Sequence, residues 1–399
     1  MIETARSLSK SSAALVVGAI AAQVIGGLVT QVSPFMITGL MAGLSLSERD
    51  AGLVASVELL ALAATATAVV PVLQWISYRR VCLIAVLVAA FAQCASIFST
   101  SLAEVALMRA LAGIGAGALY AVSLSVVAAR CANPDKIYGY FQVVWALGSV
   151  AIFTIGGELT AAFAQRGIFA LMAGLTLGLA PLLMFLPDHR ASSGDGEAAL
   201  TARQVPASPA LGIMTLLAIS LCLVGGGAAY SFVGQLGERA GFDTSAVGYV
   251  LTIATLCGLA GAGAATILNL RWGRMVPISG VFVGYILVVT VLCVSRNPIT
   301  YVAAVIAYIV IYYFSMPYLF GLAAALDRSG RWAAAAGSAF LLGCAACPLF
   351  AGSLIEATGY VGFAAACVAV LLVAWAFAAA VCQRLSRAKS AIRFADLQG

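Results

Sequence analysis

Twelve apolar runs, each long enough to cross a lipid bilayer, constrain this chain more than any motif within it. They lie at about 12–40, 51–73, 80–100, 102–129, 138–161 and 167–186, and again at about 210–236, 244–269, 275–295, 299–325, 332–356 and 361–383. A helix rises about 1.5 Å per residue, so roughly 20 residues cover the hydrocarbon core. Lipid offers no hydrogen-bond partners, so a spanning segment must pair its backbone as a helix or within a closed barrel. The alternating polarity of barrel strands does not occur in these runs. The expected fold is an all-α membrane protein with twelve transmembrane helices. Composition points the same way: 63% of the residues are hydrophobic and only 9% are charged, too few charges to coat a water-soluble protein of this length.

The runs fall as six and six around one long polar stretch, 187–209, which holds Asp188, His189, Arg190 and Arg203. Its place predicts a linker between two six-helix bundles, 1–186 and 210–383, with a polar tail at 384–399. The N-terminus, the even-numbered connections and the tail carry most of the basic residues, among them Arg6, Lys10, Arg79, Arg80, Arg271 and Arg274. The opposite side has only Arg49, Arg166, Arg239 and Arg296. By the positive-inside rule, both termini and the linker are expected in the cytoplasm, the chain being a multi-pass protein of a bacterial inner membrane. The first run follows Arg6 and Lys10 but exceeds a signal-peptide core, so it is expected to stay attached as the first span.

The net charge of +6 does not indicate nucleic acid, because the cations stand singly or in pairs between apolar runs and form no basic stripe. Most of the ten cysteines are scattered through apolar stretches, where Cys behaves as a small hydrophobe. Cys344 and Cys347 form a CxxC with no second ligand pair, which reads as packing; no metal and no cofactor is expected. The sole histidine, His189, reads as a solvated loop residue.

The two halves repeat each other. Arg79 and Arg274 follow the second and eighth runs and lie 195 positions apart. The same offset carries Gly148 onto Gly343 and Gly157 onto Gly352. A shared offset at separate landmarks predicts two pseudo-symmetric bundles, an arrangement that places a solute site at the repeat interface.

With those landmarks in place the chain resembles the major facilitator superfamily over nearly its whole length. The loop after span two in that family reads G-x-x-x-D-R-x-G-R-R; here Arg79 and Arg80 match, while Pro71, Trp75, Ile76 and Tyr78 depart from it. The second-half copy keeps Arg271, Gly273 and Arg274 but has Leu270 in place of the acid. Arg109, Gly113, Gly115 and Gly117 match the R-x-x-x-G-x-G-x-G signature of span four, associated with proton-coupled members. Gly148, Gly156 and Gly157 keep the glycines of the span-five motif of drug/proton antiporters, with Ile152 and Phe153 replacing its Gly-Pro. The resemblance implies two rocking bundles, a single chain as a sufficient transport unit, and gating roles for Arg79, Arg80, Arg271 and Arg274.

An ionisable side chain near the bilayer centre costs at least about 2.5–3.5 kcal/mol, so each one needs a reason. Glu58 in span two and Arg109 in span four lie at similar depth from the same side, roughly 10–12 Å in. They are expected either to exchange protons as access alternates or to form a permanent structural pair. Glu158, near the end of span five, either joins them or sits at the water boundary. Gly113 and Gly117 share a face with Arg109 and read as packing residues, with Tyr120 beyond them. Gly148, Gly156, Gly157, Gly343, Pro348 and Gly352 also read as packing or bending positions. Gly225, Gly226 and Gly227 read equally as a hinge or as packing.

By resemblance, the central pathway is lined by Gln23, Thr30, Gln31, Tyr120, Gln142, Trp145, Tyr230, Gln235, Tyr301, Tyr308 and Tyr312, a polar and partly aromatic set suited to a small organic solute. Each alone reads equally as interhelical glue or an interfacial aromatic. No Walker-type phosphate loop supports a primary pump. An intramembrane hydrolase needs a nucleophile and base, or a metal cluster, at membrane depth, and a receptor needs an output domain; neither is in the sequence. The expected function is proton-coupled secondary transport, the span-five glycines leaning to export. Proton-driven uptake of an organic anion at Arg109 is the alternative.

Overall fold

The computed structural model describes residues 2–131, 134–188, 209–268, 271–326 and 331–395. Twelve α-helices follow in order: α1 (Ile2–Leu44), α2 (Glu48–Ala68), α3 (Tyr78–Ile97), α4 (Leu102–Arg130), α5 (Pro134–Phe163), α6 (Gln165–Leu179), α7 (Pro209–Ser231), α8 (Val233–Arg239), α9 (Thr244–Leu268), α10 (Met275–Val294), α11 (Pro298–Ala324) and α12 (Arg331–Ala395). No strand occurs among the described residues. Eleven stretches of these residues are long and apolar enough to cross a bilayer. The last of them, Ala335–Arg387, runs for 53 residues, enough for two spans. It is broken at Gly359 (φ 67°, ψ −178°), and the rings of Phe350 and Phe363 meet at 6.5 Å, so α12 folds back on itself. That fold-back makes twelve spans, as the apolar runs predict.

Local chemistry sets the helix ends. Ser47, Ser77 and Ser101 cap α2, α3 and α4 by accepting the amides of Asp50, Arg80 and Glu104, and Asn297 caps α11 ahead of Pro298. The run at 51–73 is α2 followed by a short 3₁₀ turn, Val70–Gln74, because Pro71 lacks the amide that would continue the α-helical ladder. Pro181 does the same where α6 passes into the turn Ala180–Phe185. The run at 210–236 is interrupted at Phe232, which leaves α8 as a separate short helix.

The helices gather into two compact units, Met1–Ala198 with Phe242–Thr252, and Ala199–Gly241 with Ile253–Gly399. The strip 242–252 groups with the first unit by its contacts. There a Cβ added to Gly157 would lie 3.1 Å from the Cα of Gly248, and one on Gly248 would lie 2.5 Å from the carbonyl oxygen of Phe153. Most of the expected linker, including His189, lies outside the described residues, as do Leu270 and Arg328.

Within the first unit, α4 is wedged between α2 and α3. A Cβ on Gly113 would fall on the Glu58 carbonyl and one on Gly117 on that of Leu62, both in α2, whereas one on Gly115 would meet the Ala85 carbonyl in α3. Residues four apart share a helix face and the residue between them points away, so one glycine triplet serves two interfaces. In the second unit α7 has the corresponding role through consecutive glycines. Gly225 meets Leu371 and the Cys367 carbonyl, Gly226 meets Tyr285, and Gly227 meets the Cys347 sulfur. A helix turns about 100° per residue, so each glycine faces a different neighbour and the triplet packs α7 closely against α10 and α12.

Candidate functional site

Glu58 and Arg109, placed at similar depth by the sequence, meet in the structure. Arg109 Nη1 lies 3.4 Å from Glu58 Oε1, and the two side chains are 0% and 1% exposed. The arginine is held on every other side. Its Nε and Nη2 donate to Ser96 Oγ at 3.1 and 2.7 Å, and Nη2 also donates to the Ala92 carbonyl at 3.2 Å. Its Nη1 lies 4.0 Å from Met172 Sδ, and its guanidinium carbon stands 4.6 Å over the ring of Phe169. Glu58 is held far less well: one oxygen has the single 3.4 Å contact and Oε2, fully buried, has no hydrogen-bond partner. α3 and α6 thus supply groups the sequence did not disclose, because Ser96, Met172 and Phe169 are ordinary residues of apolar helices.

Glu158 does not join this pair. It accepts a hydrogen bond from Tyr249 Oη at 2.8 Å at an exposed position, one turn from the Thr154–Thr252 hydroxyl contact at 3.0 Å.

The polar residues expected along the pathway in the first unit are largely tied to neighbouring helices. Ser123 donates to Gln23 Oε1 at 2.5 Å and Gln31 donates to the Trp145 carbonyl at 3.4 Å, whereas Thr30 donates to the Gly27 carbonyl one turn back in its own helix. Trp145 fills the space over Gly27, and Gly26 is pressed against the backbone of Tyr120. Gln142 is exposed. Of the span-five glycines, Gly148 has open space and Gly156 only ordinary contacts, which leaves Gly157 as the close approach.

In the second unit the tyrosines converge. Tyr230 and Tyr308 stack with ring centroids 5.9 Å apart and planes within 8°, and Tyr285 meets Tyr308 edge-on at 5.7 Å. Tyr285 Oη is 3.5 Å from Ser315 Oγ. Tyr312 is half-buried and packs edge-on against Tyr313 at 5.7 Å. Tyr301 instead donates to the Val233 carbonyl at 2.9 Å and holds α11 to α8; Gln235 is buried in α8. Cys347 donates to the Leu223 and Gly343 carbonyls at 3.2 and 3.1 Å, and Gly343 itself lies close to the Ser220 carbonyl in α7. Pro348 and Gly352 are buried in the same arm of α12. Tyr285 went unnoticed in the sequence because it has no polar neighbour at helical spacing, and Ser315 because the tyrosines of its own helix stand out beside it.

The loop between α2 and α3 is tied to the end of α6. Arg79 Nε donates to the Leu186 carbonyl at 2.8 Å, Ser77 Oγ donates to Asp188 Oδ1 at 2.6 Å, and Arg80 Nε lies 3.7 Å from the same oxygen. The acid lacking from that loop is therefore met by one from the start of the linker. In the second-half loop Gly273 has φ 68°, a conformation that favours glycine, between an exposed Arg271 and a half-buried Arg274.

A family model described as Major Facilitator Superfamily matches residues 15–327. Among solved structures the chain is similar to a mutant of the nucleoside transporter NupG, with a TM-score of 0.69 and 13% identity, covering 94% of this chain and 99% of that one. Unmutated NupG gives a TM-score of 0.68 at 12% identity, covering 92% and 98%. A D-xylose-proton symporter gives 0.68 at 15%, covering 92% and 97%. At such identities these likenesses speak for the fold. No curated protein matches the sequence. A helical fold with twelve spans, signature glycines that pack α4 between its neighbours, and a match over most of the length lead to one conclusion: the chain belongs to the Major Facilitator Superfamily, and is a multi-pass integral membrane protein that acts as a secondary transporter and not as an enzyme.

Proposed function

We propose that this transporter couples a small organic solute to protons, with Glu58 as the carboxyl that changes protonation state, and that both termini face the cytoplasm of a bacterial inner membrane. The supporting observation is the unequal satisfaction of the buried pair. Arg109 keeps Ser96, the Ala92 carbonyl and the face of Phe169 whether or not Glu58 is charged. Glu58 relies on one long contact and leaves its second oxygen bare. A buried carboxylate so poorly solvated is the member of the pair that gains most from taking up a proton.

Anion uptake at Arg109 is the less supported reading, because the arginine's donors are engaged within the bundle. Export by antiport follows the span-five glycines. Uptake of an uncharged solute by symport is the second reading, favoured by the fold neighbour named as a proton symporter. Proteoliposomes test the coupling. In Glu58→Gln, solute counterflow, which needs no gradient, is expected to persist while accumulation driven by a pH gradient disappears. Gradient-driven accumulation at the wild-type level, or loss of both activities in a folded variant, reduces Glu58 to a structural role. The sign of proton movement during solute flow separates symport from antiport.

A further inference from the structure

We propose that the solute is an uncharged, ring-bearing compound that stacks against Tyr230 in the second unit, over a floor made by Tyr308, Tyr285, Ser315 and Cys347. The proposal rests on the transporter reading and adds the chemistry of the cargo.

Charge gives the first constraint. The stretches 209–237, 275–294, 298–324 and 332–355 contain no Asp, Glu, Lys or Arg, so the interior of the second unit offers no full charge to neutralise a charged solute. Glu58 and Arg109 are the buried charged side chains among the described residues, and they are engaged with each other and with α3. A charged solute would lose its hydration with no compensating counter-ion, a penalty that an uncharged compound escapes.

Shape gives the second. Tyr230 and Tyr308 hold parallel ring faces, and Tyr285 buttresses Tyr308 edge-on. Gly226 and Gly227 permit this by letting Tyr285 and Cys347 approach α7 where a Cβ would crowd them. Burial divides the cluster into a floor and a rim: Tyr285, Tyr308, Ser315 and Cys347 are buried, whereas Tyr230 and Tyr312 are half-exposed. The flat face of Tyr230 above, with phenol and hydroxyl groups below, suits a ring that carries hydrogen-bonding substituents.

Equilibrium binding to the purified protein in detergent, with no gradient, tests the cargo class independently of Glu58. The probes are uridine and phenyl glucoside as neutral rings, benzoate as an anion and tetraphenylphosphonium as a cation. Binding is expected for a neutral probe only, weakened about ten-fold by Tyr230→Leu and kept within about two-fold by Tyr230→Phe, since the ring rather than the hydroxyl does the stacking. Tyr230 is the half-exposed member of the stack, and unchanged thermal unfolding of both variants identifies them as folded. Tighter binding of benzoate or tetraphenylphosphonium than of either neutral probe overturns the proposal. So does the absence of neutral binding up to millimolar concentration, or equal affinity in Tyr230→Leu and wild type. If neutral binding survives in Glu58→Gln while gradient coupling does not change, the coupling reading fails and the cargo reading stands.

Discussion

Truncating Arg109 should destabilise the first unit much more than neutralising Glu58, although the two share one ion pair. In Arg109→Met the carboxylate loses its only contact and is left buried with both oxygens bare, a loss of about 3–5 kcal/mol for breaking a buried pair from one side. Ser96 is not orphaned, because it still donates to the Ala92 carbonyl at 2.7 Å. In Glu58→Gln the arginine keeps its two Ser96 bonds and its Ala92 bond. Only a 3.4 Å contact weakens, which is worth about 1–2 kcal/mol. The double variant removes both charges and should recover roughly 1 kcal/mol of the Arg109→Met loss, which corresponds to a coupling of about 2–3 kcal/mol, within the usual range for directly interacting residues. Reversible unfolding in mixed micelles, followed by tryptophan emission, measures all four proteins. The reasoning fails if Arg109→Met is no worse than Glu58→Gln, or if the double variant loses the sum of the two.

Gly113→Leu should cost about 1–3 kcal/mol, because its side chain must push α2 away at the Glu58 carbonyl, whereas Gly148→Ala, built into open space, should leave the melting temperature nearly unchanged. Tyr249→Phe removes an exposed hydrogen bond to Glu158 and should lower stability by no more than about 1 kcal/mol in the same unfolding assay. Partial burial at the end of α4 pushes the Cys131 thiol above its ordinary pKa. Less thiolate is then present at neutral pH, so maleimide labelling of Cys131, read by peptide mass spectrometry, should start slow and keep rising with pH beyond the point where a free thiol levels off.

The spans, including the division between the last two around Gly359, were legible because lipid imposes a length and a polarity on every crossing, whereas the break at Phe232 was not, because it lies within one apolar stretch. Glu58 and Arg109 were legible as costly exceptions in apolar helices. Their unequal satisfaction was not, since it depends on Ser96 and Phe169, which spacing along α2 and α4 cannot reveal. Arg79 and Arg80 were visible as a pair, but their attachment to Leu186 and Asp188 joins positions more than 100 residues apart. The tyrosines of α11 stood out by their repeat, whereas Tyr285, isolated in its own helix, and Cys347, visible only as part of a CxxC, become part of a cluster only when α10 and α12 pack on α7.

Gly359 also bears on how the protein is made. Its backbone lies in a region that residues with a Cβ scarcely enter, so a single position reverses the chain between the last two spans. Only a short turn separates the two arms, and they meet through Phe350 and Phe363. They are suited to leave the insertion machinery together, as a helical hairpin. A bulky residue at 359 should therefore show itself first in biogenesis, as a chain with its C-terminal end misplaced and removed by quality-control proteases, before any change in transport is measurable.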